Sequence, residues 1–116
     1  MKTVLVVDDD RSLRLLCRVN LELEGHRVLE AATLGEARAL FEREAPDVIL
    51  LDVHVGNEDG LELLDELEAL DVPARVVLLS GTSEIGPELR GRVAGVIGKP
   101  FDLERLAEAV SGATLR

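Results

Sequence analysis

Carboxylates stand at two places where apolar runs stop. Thr3-Val4-Leu5-Val6-Val7 leads directly into Asp8-Asp9-Asp10, and Val48-Ile49-Leu50-Leu51 ends in Asp52. Short runs of Leu and β-branched residues read as strands buried on both faces, the habit of parallel sheets. Acids brought together at the ends of two such strands repel, so one must take up a proton or a cation must join them. Mg²⁺, which keeps several waters and suits one or two carboxylates plus a phosphate, fits better than a caged Ca²⁺. One Cys and two His offer no cluster for zinc. Later apolar runs are followed by Ser80 and by Lys99, a hydroxyl donor and a mobile cation. A carboxylate nucleophile, a metal, a hydroxyl and an ammonium are what phosphoryl transfer requires, since that chemistry is mostly positioning and electrostatics. Taken singly, paired acids usually cap helices and a lysine before proline usually lies on the surface. Their coincidence at successive strand ends carries the signal.

The elements that must position these residues alternate. A strand over 3–7 is followed by a helix capped by Asp10 or Ser12 and running to about Glu24, where Gly25 suits a left-handed stop. Leu13, Leu16, Cys17 and Leu21 form its core row, and Leu15, Val19 and Leu23 a second row that is a candidate contact surface. A strand over 26–31 precedes a helix over 34–44, capped by Thr33, with Leu34, Ala37, Leu40 and Phe41 inward. The Asp52 strand gives way at Asp59-Gly60 to a helix with Leu61, Leu64, Leu67 and Leu70 at near-helical spacing, stopped by Pro73. Strands over 75–79 and 94–97 follow, and a last helix over 102–111 turns Leu103, Leu106, Ala107 and Val110 to one side. Strands alternating with helices predict a doubly wound, flavodoxin-like α/β domain with a five-stranded parallel sheet in the order 2-1-3-4-5, and residues 1–116 read as one domain. In that order the ligand site lies between strands one and three, the two that end in acids.

Composition narrows the partners. A net charge of -10 opposes direct binding to nucleic acid or anionic lipid. Two Phe with neither Trp nor Tyr leave little for stacking on bases. No apolar run approaches the ~18 residues of a membrane span, and the N-terminus reads as a strand, so a cytoplasmic protein is expected. Cys17, alone and on an apolar helix face, is expected to be structural.

As an ordered set, Val6-Val7-Asp8-Asp9-Asp10, Leu50-Leu51-Asp52, Asp59-Gly60, Leu78-Leu79-Ser80-Gly81 and Lys99-Pro100-Phe101 resemble the receiver domain of two-component response regulators. The resemblance implies that Asp52 accepts phosphate from a sensor histidine kinase or a histidine phosphotransferase. It implies that Asp8, Asp9, Asp52 and the carbonyl of His54 hold Mg²⁺, that Ser80 and the amide of Gly81 bond phosphoryl oxygens, and that Lys99 pairs with another. It also implies a cis Lys99-Pro100 bond, self-catalysed phosphorylation with slow dephosphorylation, and a downstream protein whose identity the sequence does not give. The protein is then more switch than enzyme, and a homodimer is compatible with it. Three departures touch the output side. Val96 stands where the family usually has Tyr or Phe, and Gly56 where proline usually restrains the loop after the acceptor, so a looser loop is expected. The interval from Ser80 to Lys99 is a few residues short and holds Gly86, Pro87, Gly91 and Gly95, so the fourth helix should be shortened or irregular. A receiver-like binding module that works without phosphate is the alternative function. A metal-dependent phosphatase fits poorly, because His54 stands where its second acid would be.

Overall fold

The computed structural model describes residues 1–81, 85–100 and 102–112. Phe101, named in the sequence reading, lies outside the described residues. The elements run β1 (Thr3–Val7), α1 (Arg11–Leu23), β2 (Arg27–Ala31), α2 (Leu34–Glu44), β3 (Val48–Asp52), a small ribbon of β4 (His54–Val55) and β5 (Glu58–Asp59), α3 (Leu61–Ala69), β6 (Arg75–Ser80), α4 (Pro87–Arg90), β7 (Gly95–Gly98) and α5 (Leu103–Ser111). The five-stranded sheet has the order β2-β1-β3-β6-β7 with every neighbouring pair parallel. Because β6 and β7 are its fourth and fifth strands in chain order, this is the expected 2-1-3-4-5 sheet.

Strand alternation divides the core into two layers. Leu5, Val7, Ile49, Leu51, Val76 and Leu78 face α2 and α3. Their neighbours Val4, Val6, Val48, Leu50, Val77 and Leu79 face α1 and α5. All five residues of β3 are buried, which is why the run 48–52 reads as continuously apolar until the acid. Helix caps follow from the side chains available. Asp10 accepts from the amides of Ser12 at 2.9 Å and Leu13 at 3.3 Å, and Thr33 accepts from the Glu36 amide at 3.1 Å. Beyond α1, Gly25 takes φ 90°, a left-handed conformation that glycine adopts without penalty.

Several side chains face otherwise than their spacing predicts. Leu16 is 44% exposed, because Cys17 and Leu21, one turn apart, take the inward direction of α1 and leave Leu16 beside the seam. In α5, Leu103 is exposed and Ala109 joins Leu106 and Val110 in the core. In α3, Leu63 is buried beside Leu64 and Leu67, while Leu70 is exposed as the C-cap. The fourth helix is a single turn, opened by Pro87 after Gly86 and closed at Gly91, as its composition predicts. The Lys99-Pro100 bond is cis.

The segment after Asp52 is the clearest correction. In place of a loosened loop, His54 pairs antiparallel with Asp59 and Val55 with Glu58 across a two-residue turn at Gly56-Asn57. Gly56 has φ 63°, the left-handed conformation that a two-residue hairpin requires at its first central position. Val55 is buried against the α2/α3 layer and anchors the ribbon. Gly60 then returns the chain so tightly that its amide bonds the Val53 carbonyl at 2.7 Å. A Cβ built on Gly60 would sit 2.0 Å from the Asp52 carbonyl oxygen and 3.0 Å from that of Val53. Gly60→Ala is therefore expected to displace the backbone behind Asp52 and to cost about 1–3 kcal/mol, the usual range for overpacking. Urea unfolding of the two proteins checks it, and equal midpoints would show that the return has room to spare.

Candidate functional site at the ends of β1 and β3

Register and alternation together explain the meeting of acids. β1 pairs with β3 through Val7↔Leu51, so the next residues, Asp8 and Asp52, stand side by side where the two strands end. Each continues the parity of the α1/α5 side of its strand, as Lys99 continues that of Ile97. Asp8 is wholly buried and Asp52 is 7% exposed, while Asp9 is exposed at the rim. One carboxylate oxygen from each of the three lies within 4.8 Å of the others.

The buried charges are compensated one by one. Asp8 accepts from the Asp10 amide through Oδ1 at 2.9 Å and from Lys99 Nζ through Oδ2 at 2.7 Å. Lys99 Nζ also stands 3.1 Å from Asp52 Oδ2, and the His54 amide donates to Asp52 Oδ1 at 3.2 Å. The ammonium thus bridges the two buried acids. Lys99 is itself anchored by its amide, which donates to the Ser80 carbonyl at 2.7 Å. Ser80 is buried at the end of β6, paired with Gly98, and Gly81 follows it, exposed. The expected residues Asp8, Asp9, Asp52, Ser80, Gly81 and Lys99 therefore gather at one end of the sheet, with His54 two residues beyond Asp52.

Hard oxygen donors in this arrangement fit Mg²⁺. The ribbon after Asp52 bears on the side to which the His54 carbonyl turns. Val55 and Glu58 close a two-residue turn as the hydrogen-bonded pair, which makes His54 and Asp59 the pair without mutual hydrogen bonds. Consistent with this, the His54 amide turns to Asp52, and the carbonyl of an extended residue points to the same side as its amide.

Electrostatics bear the marks of crowding. Burial, and after it the charge of Asp8, raises the Asp52 carboxyl above its ordinary value against the lowering effect of the His54 amide and Lys99. Burial alone would lower Lys99, but hydrogen bonds and charge from Asp8 and then Asp52 reverse this and raise it. Beneath the site, burial and the charge of Asp8 push the Cys17 thiol up to about 12, so it carries no thiolate at neutral pH.

Two contributors escaped the sequence reading. Arg14 Nη1 donates to the Asp8 carbonyl at 2.8 Å while its Nε bonds Glu30 at 3.1 Å, bracing the turn that carries Asp8 and Asp9. Its one signal was a cation near the positive end of a helix, where the dipole disfavours it. Gly60 was read as a turn residue, and its close approach to Asp52 had no sequence signal of its own.

Residues 4–111 match the family described as Response regulator receiver domain. The chain belongs to that family. It is a phosphoacceptor receiver domain of two-component signal transduction. It is 29% identical to Sporulation initiation phosphotransferase F of Bacillus subtilis, over 92% of this chain and 89% of that protein. It is 34% identical to Transcriptional regulatory protein TrcR of Mycobacterium tuberculosis, over 97% of this chain but 45% of that protein. The receiver thus spans about half the length of several curated relatives that are named transcriptional regulators. Among solved structures, the CheY-like receiver protein of Methanospirillum hungatei superposes with a TM-score of 0.85 at 28% identity, covering 97% of this chain and 93% of that one. The response regulator TrrA of Thermotoga maritima, determined in complex with Mg²⁺ and BeF, gives 0.86 at 29% identity, covering 97% and 98%. Among the described residues of this receiver, no helix is long and apolar enough to cross a membrane.

The raised Asp52 carboxyl has a consequence for stability in the absence of metal. A group whose folded pKa is raised favours folding below its unfolded pKa and loses that contribution as pH rises through the folded value. At neutral pH the ionised Asp52 therefore weighs against the fold. Asp52→Asn is expected to melt higher than the parent in EDTA at pH 7, with the gain shrinking as pH falls toward 4. Paired melting curves check this, and an Asn variant less stable at pH 7 would contradict it.

Proposed function

We propose that Asp52 is the phosphoacceptor and that residues 1–116 form one receiver unit working in the cytoplasm. The carrying observation is the buried Asp52 carboxylate held beside Asp8 and Asp9 and bridged to Asp8 by Lys99. Asp52 attacks the phosphorus of a phosphohistidine on a sensor kinase or histidine phosphotransferase, forming a P–O bond as the P–N bond breaks and the imidazole leaves. Asp8, Asp9, Asp52 and the His54 carbonyl would hold Mg²⁺, which when bound offsets the carboxylate charge and the charge on the phosphoryl oxygens. Lys99, already 3.1 Å from Asp52, pairs with one phosphoryl oxygen, and the Ser80 hydroxyl and Gly81 amide donate to others. The same groups catalyse phosphorylation and slow hydrolysis, so the chain is a switch that performs its own chemistry. Incubation with a small phosphodonor and Mg²⁺ should add one phosphate to the parent by intact mass and none to Asp52→Asn. An Asn variant phosphorylated at the parental rate would remove Asp52 from this role.

Delivery of phosphate needs a protein contact, and α1 offers one. Leu15, Val19 and Leu23 are 56, 49 and 80% exposed, and Leu16 extends the row. An apolar stripe of this kind beside the acids suits an amphipathic helix of the donor. The downstream partner would be a protein met through a face altered by the one-turn α4, where Val96 packs half-buried against the α2/α3 layer. Leu15→Glu combined with Val19→Glu should leave phosphorylation by a small donor intact while slowing transfer from the donor protein at least about tenfold, the loss expected when buried apolar anchors are replaced by charge. Equal transfer to both proteins would place the contact elsewhere.

A further inference from the structure

The β4–β5 ribbon has two residues per strand, and a lone two-stranded ribbon is not stable by itself. Val55 fixes one side of it in the core, but both residues of β5 are exposed. What holds that side is Glu58, whose Oε1 accepts from the amide of Leu34, the first residue of α2, at 3.1 Å. Leu34 is a firm anchor, since its side chain is fully buried. Its amide is also a donor that the helix cannot satisfy internally. The neighbouring donors are already engaged, that of Glu36 by Thr33 and that of Ala32 by Glu36. A carboxylate at this end also faces the positive pole of the helix. One turn further along α2, Arg38 grips Glu66 of α3 through Nε and Nη2, at 2.8 and 2.7 Å. The segment from the acceptor to α3 is thus fastened to α2 at two points.

We propose that Glu58 is a positioning residue for the cation-binding half of the site: by latching the ribbon to the start of α2, it holds the His54 carbonyl toward Asp8, Asp9 and Asp52. This rests on the reading of the site as one for Mg²⁺. Gly56 leaves the turn without the restraint of a proline ring, and the latch supplies that restraint from outside the turn. Glu58 need not touch the cation to act on it, because loss of an outer hydrogen-bond partner commonly weakens a metal site by about 10–100-fold for directly attached partners, and less through a longer chain of contacts.

The test compares the parent with Glu58→Ala, Glu58→Gln and Asp9→Ala in two measurements. Amide hydrogen exchange in EDTA reads the latch without metal, and a Mg²⁺ titration followed by NMR reads affinity. Glu58→Ala is expected to speed exchange at Leu34 and through the ribbon and to raise the Mg²⁺ Kd about 3–10-fold, a fraction of the effect of a directly attached partner. Glu58→Gln keeps an acceptor oxygen and should restore both to within about twofold, since the bond it preserves is the one at issue. Parental exchange and affinity in Glu58→Ala overturn the proposal, as does faster exchange with unchanged affinity. A Gln variant as impaired as the Ala variant also overturns it, by assigning the effect to charge alone. Unchanged Mg²⁺ affinity in Asp9→Ala would instead sink the cation site itself, a failure that the metal-free exchange data keep separate from that of the latch.

Discussion

The Lys99 ammonium lying across Asp8 and Asp52 is the interaction on which the rest depends. Without it, two carboxylates would share a pocket closed to water on most sides, and burying one unpaired charge costs more than most single contacts return. The pairing comes from far apart in the chain, since Asp8 follows the first strand and Lys99 the last. It is possible because β1, β3 and β7 lie parallel and each presents the same face at its end. The sheet does more than bury apolar area. It sets three charged side chains in register, and the amides of Asp10 and His54 supply the remaining bonds.

The same arrangement makes the site responsive. The ammonium compensates the acids in the metal-free protein but is tied to them by a flexible stem, with only its backbone amide fixed to Ser80. An incoming dianion and divalent cation can therefore redistribute the pairing without unfolding any strand. The rigid part of the site lies behind Asp52, where Gly60 leaves no room for a Cβ and the ribbon folds back on a two-residue turn. Mobility is left to side chains, and the backbone bearing the acceptor is constrained.

Much of this was legible in the sequence because the features are local or periodic. Apolar runs ending in acids located β1 and β3, Thr33 and Asp10 announced their helices, and glycines around Pro87 announced a curtailed α4. The sheet order followed from alternation of strands and helices. The facing of Leu16, Leu103 and Ala109 was not legible, because helices this short and this rich in Leu fit more than one inward stripe, and only packing chooses. The ribbon after Asp52 was misread for a related reason. Gly56 suggested freedom, yet a glycine that loosens an open loop is what a two-residue turn demands. Gly60 and Glu58 act through contacts that nothing in their own neighbourhood of sequence marks, and Arg14 had only its unfavourable place near the start of a helix to single it out.

Cys17 lies fully buried beneath the acids, on the face of α1 that meets the sheet. As the chain's single thiol, shielded from solvent and held protonated, it is silent toward alkylating reagents for as long as α1 stays seated. Its labelling rate is then a stopwatch for the lifting of that helix. The molecule carries, without any added probe, an internal reporter of how often the layer bearing its exposed leucines comes away.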